Sequence, residues 1–203
     1  HPFVLLFFCF ILLLYCSLLL PFLFVLMLCL PPVTPLSRSS TASDVSKRQD
    51  HIYDTPISTE PARRTPVAKV ESTEVVYGQS GDQLHRGYLS RPLATKSTSG
   101  LIVIHEWWGL NEDILAVTEQ LAALGYTALA VDLYDSKSAT QVRNAFELST
   151  NLSSNEEKGL ANLQQAYNYL ETKMSATKIG VIGWCLGGTW SMKTVVMWAE
   201  DIE

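Results

Sequence analysis

The chain has 203 residues, enough for one domain of ordinary size, and its first residue is His1, so the natural start is expected upstream. Its formal net charge of −5 is uneven, with +1 on residues 1–67 and −6 on residues 68–203, and a mildly acidic second part argues against nucleic acid as a partner. Of the four cysteines, Cys9, Cys16 and Cys29 lie in an apolar leader and Cys185 stands alone beyond it. That distribution excludes a disulfide framework or a Cys/His zinc site there, and neither metal nor cofactor is expected.

Residues 1–30 form the leader, almost wholly apolar and without Lys, Arg, Asp or Glu. A spanning helix needs about 20 such residues, whereas the apolar core of a secretory signal runs to about 7–15. The expectation is a membrane-anchored or exported protein, with orientation and cleavage left open. The alternative is a mistranslated upstream region ahead of a cytoplasmic protein. Residues 31–69 hold six of the nine prolines among Ser, Thr, Arg and Asp, with no apolar period. Such a segment buries too little surface to offset its ordering entropy and is expected to be a disordered linker.

The folded part is expected over residues 70–203. Glu71–Tyr77 and Leu84–Ser90 read as a leading hairpin, which puts His85 at an exposed position. The run Gly100–Ile104 is continuously apolar, as in a strand covered on both faces. Asn111 caps a helix that starts with Glu112 and Asp113, carries Ile114, Val117, Leu121 and Leu124 on one face and stops at Gly125. A strand over Tyr126–Val131 ends at Asp132, and Thr140–Leu148 is a weaker helix. Ser154-Asn-Glu-Glu157 has the form of a capping box for a helix with Leu160, Leu163, Tyr167 and Leu170 as its stripe. A strand over 178–183 and a helix over 186–199 complete the pattern. Strands alternating with helices imply an α/β fold: a mostly parallel sheet with helices on both faces.

The stretch Gly183-Trp-Cys-Leu-Gly187 carries the chemistry. It is the G-x-S-x-G nucleophile elbow with Cys185 in place of serine, set between an apolar strand and a helix. Glycines two before and two after the nucleophile let the backbone close on itself where a Cβ would clash. A helix N-terminus favours negative charge, which suits a thiolate. A dinucleotide turn would need glycine at 185, and a phosphate loop would need Lys-Ser/Thr where Gly188-Thr189 stands.

His105-Glu-Trp-Trp-Gly-Leu-Asn111 begins where the Leu101–Ile104 strand ends. In α/β-hydrolases the loop after this strand gives one oxyanion-hole N–H and the residue after the nucleophile the other, so Trp107 and Leu186 are the candidates. Such donors lower a barrier by about 2.7–4 kcal/mol each. Glu106 is expected near the thiol, its pKa raised by the apolar wall of Trp107 and Trp108, unless it simply faces solvent. His105 precedes the oxyanion loop, whereas the general base of such enzymes follows the nucleophile, so a structural role is expected for it.

Three segments together, Ile104-His-Glu-Trp-Trp-Gly-Leu-Asn111, Gly125-Tyr-Thr-Ala-Leu-Ala-Val-Asp-Leu-Tyr134 and Gly183-Trp-Cys-Leu-Gly-Gly188, resemble the dienelactone hydrolase family. The resemblance implies an α/β-hydrolase fold and a Cys-His-Asp triad that opens ester or lactone bonds, as in carboxymethylenebutenolidase. It also implies Cys185 as nucleophile, Glu106 as the carboxylate that contacts the resting thiol, and the N–H groups of Trp107 and Leu186 as the oxyanion hole. The sequence stops 18 residues past Cys185, so the triad's acid and histidine are expected beyond it, and the hydrolase domain is expected to be incomplete and inactive as it stands. The expected partner is a small ester or lactone, the membrane being met through residues 1–30, with the oligomeric state open. The alternative is a membrane-anchored, non-catalytic binding protein on a degenerate α/β-hydrolase scaffold.

Overall fold

The computed structural model describes residues 23–25, 55–56, 64–94 and 96–200. Most of the leader and linker expectations therefore fall outside the described residues. Among those described, no helix is long and apolar enough to cross a membrane.

The elements are β1 (Leu23–Val25), β2 (Val70–Ser80), β3 (Gln83–Pro92), β4 (Ser99–Ile104), α1 (Glu112–Ala123), β5 (Thr127–Val131), α2 (Val142–Ser154), α3 (Glu156–Thr172), β6 (Lys178–Gly183) and α4 (Leu186–Glu200). The strands form one sheet in the order β1-β6-β4-β5-β3-β2. β4 pairs in parallel with β5 and β6, and β1 pairs in parallel with β6. The β2–β3 hairpin joins antiparallel to β5 through β3. This is the expected α/β architecture.

Alternation along the central strands divides the core in two. Ile102, Ile104, Leu129, Val131, Ile179 and Val181 point to the side covered by Leu163 and Leu170 of α3 and Trp190 and Trp198 of α4. Val103, Ala128, Ala130 and Ile182 point to the other, beneath Ile114 of α1. A strand between two covered faces is apolar at every position, which is why these runs show no polar alternation. Each buried branched side chain stabilises the fold by about 1.5–3 kcal/mol.

Local chemistry sets several boundaries. The Asn111 side chain accepts a hydrogen bond from the Ile114 N–H at 3.2 Å, and α1 gives way to Gly125 at φ 105°. The end of the α1 stripe does not hold, however, because Leu124 is its C-cap and exposed. The capping box does not form either. Ser154 is the last residue of α2, and the Asn155 side chain turns back to Asn151 rather than capping α3. α2 accordingly runs six residues past the expected end at Leu148. His85 is buried, not exposed, because it shares the inward face of β3 with Gly87 and Leu89. Its ring meets the Ser80 hydroxyl at 2.8 Å and the Asn162 amide at 3.0 Å, and burial lowers its pKa.

Candidate active site

Register brings three loops to one edge. Ile104 lies level with Val131 on β5 and with Gly183 on β6, so residues 105–111, 132–141 and 184–185 all leave from the carboxyl ends of adjacent parallel strands. Such an edge is where α/β proteins bind ligands.

The turn between β6 and α4 is tight. Cys185 has φ 53°, a left-handed conformation that costs a non-glycine residue about 1–3 kcal/mol, and its side chain is exposed. A Cβ on Gly183 would sit 2.4 Å from the carbonyl carbon of Gly187. A Cβ on Gly187 would sit 2.4 Å from the Ile104 oxygen and 2.7 Å from the His105 oxygen. The two glycines therefore let the turn close on itself and let the first turn of α4 rest on the end of β4. Gly187 donates its N–H to the Trp184 carbonyl at 2.9 Å. Leu186 opens α4, where N–H groups have no acceptor within the helix.

His105 holds the neighbouring loop. It is fully buried, with Nδ1 2.5 Å from the Glu106 carbonyl and Nε2 3.2 Å from the Leu133 nitrogen. A backbone N–H can only donate, so Nε2 accepts and the ring proton sits on Nδ1, pointing to Glu106. Burial pushes the pKa down to about 4. The ring is neutral and both nitrogens are engaged, in keeping with the structural role expected for it. After His105 the chain turns, Gly109 donating to the Glu106 carbonyl at 3.2 Å, which leaves the Trp107 N–H outside the turn's own hydrogen bond. Trp107 is half-buried and packs against buried Trp108, with ring centroids 4.9 Å apart.

Glu106 is half-buried and its pKa is raised, first by burial and then by the charge of Asp113 at the start of α1. The direction is the expected one. The charged neighbour that adds to the shift is Asp113.

The loop after β5 is pinned in turn. The Asp132 carboxylate accepts the Tyr134 N–H at 2.8 Å and the Ser136 N–H at 2.5 Å, and Asp135 and Ser136 both have positive φ. Gly109 pairs with Ser138, and Ala139 donates to the Trp108 carbonyl at 2.8 Å, which ties this loop to residues 105–111. Tyr134 packs its ring on His105 at 4.6 Å, and burial raises the pKa of its phenol. Sequence alone assigns no role to Tyr134, although it closes one of the three telling segments. The available signal was its place at the end of a central parallel strand.

A mostly parallel sheet with helices on both faces, and a glycine-flanked left-handed turn between a central strand and a helix, define an α/β-hydrolase. The chain belongs to the dienelactone hydrolase family, whose model matches residues 85–200. It is 36% identical over 113 residues to "Protein usf" of Aquifex pyrophilus, covering 53% of this chain and 48% of that protein. It is 30% identical over 108 residues to a "Probable 2-oxo-3-(5-oxofuran-2-ylidene)propanoate lactonase" of a Bradyrhizobium species, covering 52% and 44%. The chain thus spans about half the length of these curated relatives. Among solved structures, m3DLH superimposes with a TM-score of 0.56 at 25% identity, over 62% of this chain and 53% of that one. A dienelactone hydrolase-like promiscuous phosphotriesterase from metagenomic libraries gives the same TM-score of 0.56 and the same coverage, 62% and 53%, at 21% identity, a likeness of fold alone.

Proposed function

We propose that the chain is the nucleophile-bearing part of a hydrolase for small esters or lactones, with Cys185 as the nucleophile. One observation carries this reading: Cys185 holds a left-handed backbone between two glycines whose missing Cβ atoms leave room for that turn. The thiolate attacks the carbonyl carbon, and the C–O bond to the leaving oxygen breaks, releasing an alcohol or opening a ring. Water then hydrolyses the thioester. The N–H groups of Trp107 and Leu186 are the proposed oxyanion donors, and Glu106 is the proposed regulator of the thiol. The proposed place of the triad's acid and histidine is outside this sequence; that His85 and His105, among the described residues, both have their ring nitrogens engaged supports this reading. The named lactonase relative supports a lactone or ester substrate class.

The test treats the protein with p-nitrophenyl acetate. The expected result is one equivalent of p-nitrophenol in a burst, an acetyl group on the peptide that contains Cys185, and slow turnover. Both burst and label vanish in Cys185→Ala. A wild-type protein that stays unacylated overturns the reading and favours a non-catalytic binding scaffold.

A further inference from the structure

The β2–β3 register sets Glu74 opposite Tyr88 and Val76 opposite Arg86, so these four side chains share one face of the hairpin. It is the α1 face, since Tyr88 packs against the cluster of Val103 and Ile114 while Leu89 belongs to the opposite core. This face borders Leu110 and Leu115, around the start of α1, and the Ser136-Lys137-Ser138 segment after β5. Together they line a cavity of about 370 Å³. That volume lies in the range of small-ligand sites, about 300–1,000 Å³. The walls are fixed without a ligand: β3 is held between β2 and β5, Asp132 accepts the Ser136 N–H, and Gly109 bridges to Ser138.

Two cations, Arg86 and Lys137, line this cavity. Arg91 and Arg143 form ion pairs with Glu71 and Glu147, whereas among the described residues no carboxylate pairs with the Arg86 guanidinium or the Lys137 ammonium. The acidic groups of the wall are Asp132 and Glu74. Asp132 has both carboxylate oxygens engaged by the Tyr134 and Ser136 N–H groups. Glu74 stands two residues along the strand from the Val76–Arg86 pair. The Tyr88 hydroxyl donates to Glu119 at 2.6 Å, which leaves its ring as an apolar wall beside Val76, Leu110 and Leu115. A guanidinium and an ammonium beside apolar side chains suit a carboxylate with an apolar body. A single charge fits better than a double one, because the two cations already share the wall with two carboxylates.

We propose that this cavity is a binding site for a small monocarboxylate, its charge meeting Arg86 and Lys137 and its apolar body lying against Tyr88, Val76, Leu110 and Leu115. The site is separate from the proposed nucleophile. β4 and β5 stand between β6, which leads to Cys185, and β3, which carries Arg86. It therefore stands or falls independently of the hydrolase reading.

The experiment titrates benzoate and hexanoate, a flat and a linear body, into the full chain and follows binding by saturation-transfer NMR. Saturable binding of at least one acid is expected, with the matching neutral amide much weaker. Arg86→Met and Lys137→Met are each expected to weaken binding about tenfold, since a charge-assisted hydrogen bond is lost while apolar contact is kept. Alkylating Cys185 with iodoacetamide is expected to leave binding unchanged. Binding of neither acid, equal binding of acid and amide, or indifference to either substitution overturns the proposal. So does loss of binding on alkylation, which places the acid at Cys185 instead. Inorganic phosphate that binds where the acids do not also overturns it. Should Arg86→Met fail to fold, Lys137→Met decides alone. Failed acylation of Cys185 by p-nitrophenyl acetate, with carboxylate binding intact, sinks only the hydrolase reading.

Discussion

Leu133 donates its backbone N–H to Nε2 of His105 at 3.2 Å, and the same ring gives its Nδ1 proton to the Glu106 carbonyl at 2.5 Å. One neutral imidazole thus joins the loop after β5 to the loop that carries the proposed oxyanion donor. It fixes the edge on which any chemistry at Cys185 depends.

That clamp makes stability acid-sensitive. The His105 pKa is about 4 in the fold against 6.5 for the free side chain. Between those values the unfolded chain binds more protons, so stability falls as pH drops from 6.5 toward 4, by about 3 kcal/mol for this group. His85, also lowered, acts the same way, while the raised Asp132 and Glu106 carboxylates act oppositely. His105→Gln removes the titration, and urea unfolding at several pH values is expected to show a flatter acid limb. At neutral pH the variant is expected to lose about 1–3 kcal/mol for each buried group left unpaired. Equal acid slopes in the two proteins would show that His105 does not titrate with unfolding.

Two adjacent glycines of the elbow are expected to behave differently. Gly187→Ala puts a Cβ 2.4 Å from a backbone oxygen that cannot move freely, whereas at Gly188 the nearest atom is the Gly183 oxygen at 3.4 Å. Gly188 lies inside α4, where alanine is favoured over glycine by about 0.8–1 kcal/mol. Gly187→Ala is therefore expected to cost about 1–3 kcal/mol or more by overpacking, and Gly188→Ala to be neutral or stabilising. Chemical denaturation of both variants checks the contrast. A tolerated Gly187→Ala would mean that β4 and α4 do not pack as described.

The elbow was legible in the sequence because its glycines answer a steric demand confined to five residues. The role of His105 was legible from chain order alone. What escaped depended on tertiary placement. His85 looked like a hairpin surface residue until its face of β3 was known. Ser154 carries a capping signature, but α2 runs through it and the chain turns at Asn155 instead. Tyr134 matters only through neighbours that are distant in sequence. Periodicity also does not separate a spanning helix from a buried strand, and Leu23–Val25, within the apolar run, pair with β6.

That pairing sharpens the question of the leader. A helix through residues 23–25 satisfies its own backbone groups and cannot at the same time pair with β6. We propose that the uncharged run of residues 1–30 anchors the protein, and expect the full chain to resist carbonate extraction from membranes. A chain begun near Val70 is expected in the soluble fraction. Full chain that is released by carbonate removes the anchor and leaves strand pairing as the use of Leu23–Val25.

The last prediction concerns Glu106. That residue leaves the end of β4, next to the strand whose end carries the proposed nucleophile. A carboxylate near a thiol disfavours the thiolate, since two negative charges in a poorly solvated place repel. Glu106 is already pressed this way by burial and by Asp113, and its pKa is raised. Its proposed role is to keep the resting thiol protonated until substrate arrives. Glu106→Gln removes the charge with little change of shape, so alkylation of Cys185 at neutral pH is expected to speed up. Its midpoint should move down. Asp113→Asn offers a second check: with that charge gone Glu106 ionises more readily, and the Cys185 midpoint is expected to rise slightly. The readout is peptide-resolved alkylation across pH. If Glu106→Gln leaves the curve where it was, the carboxylate does not sense the thiol, and its raised pKa reflects only burial and Asp113.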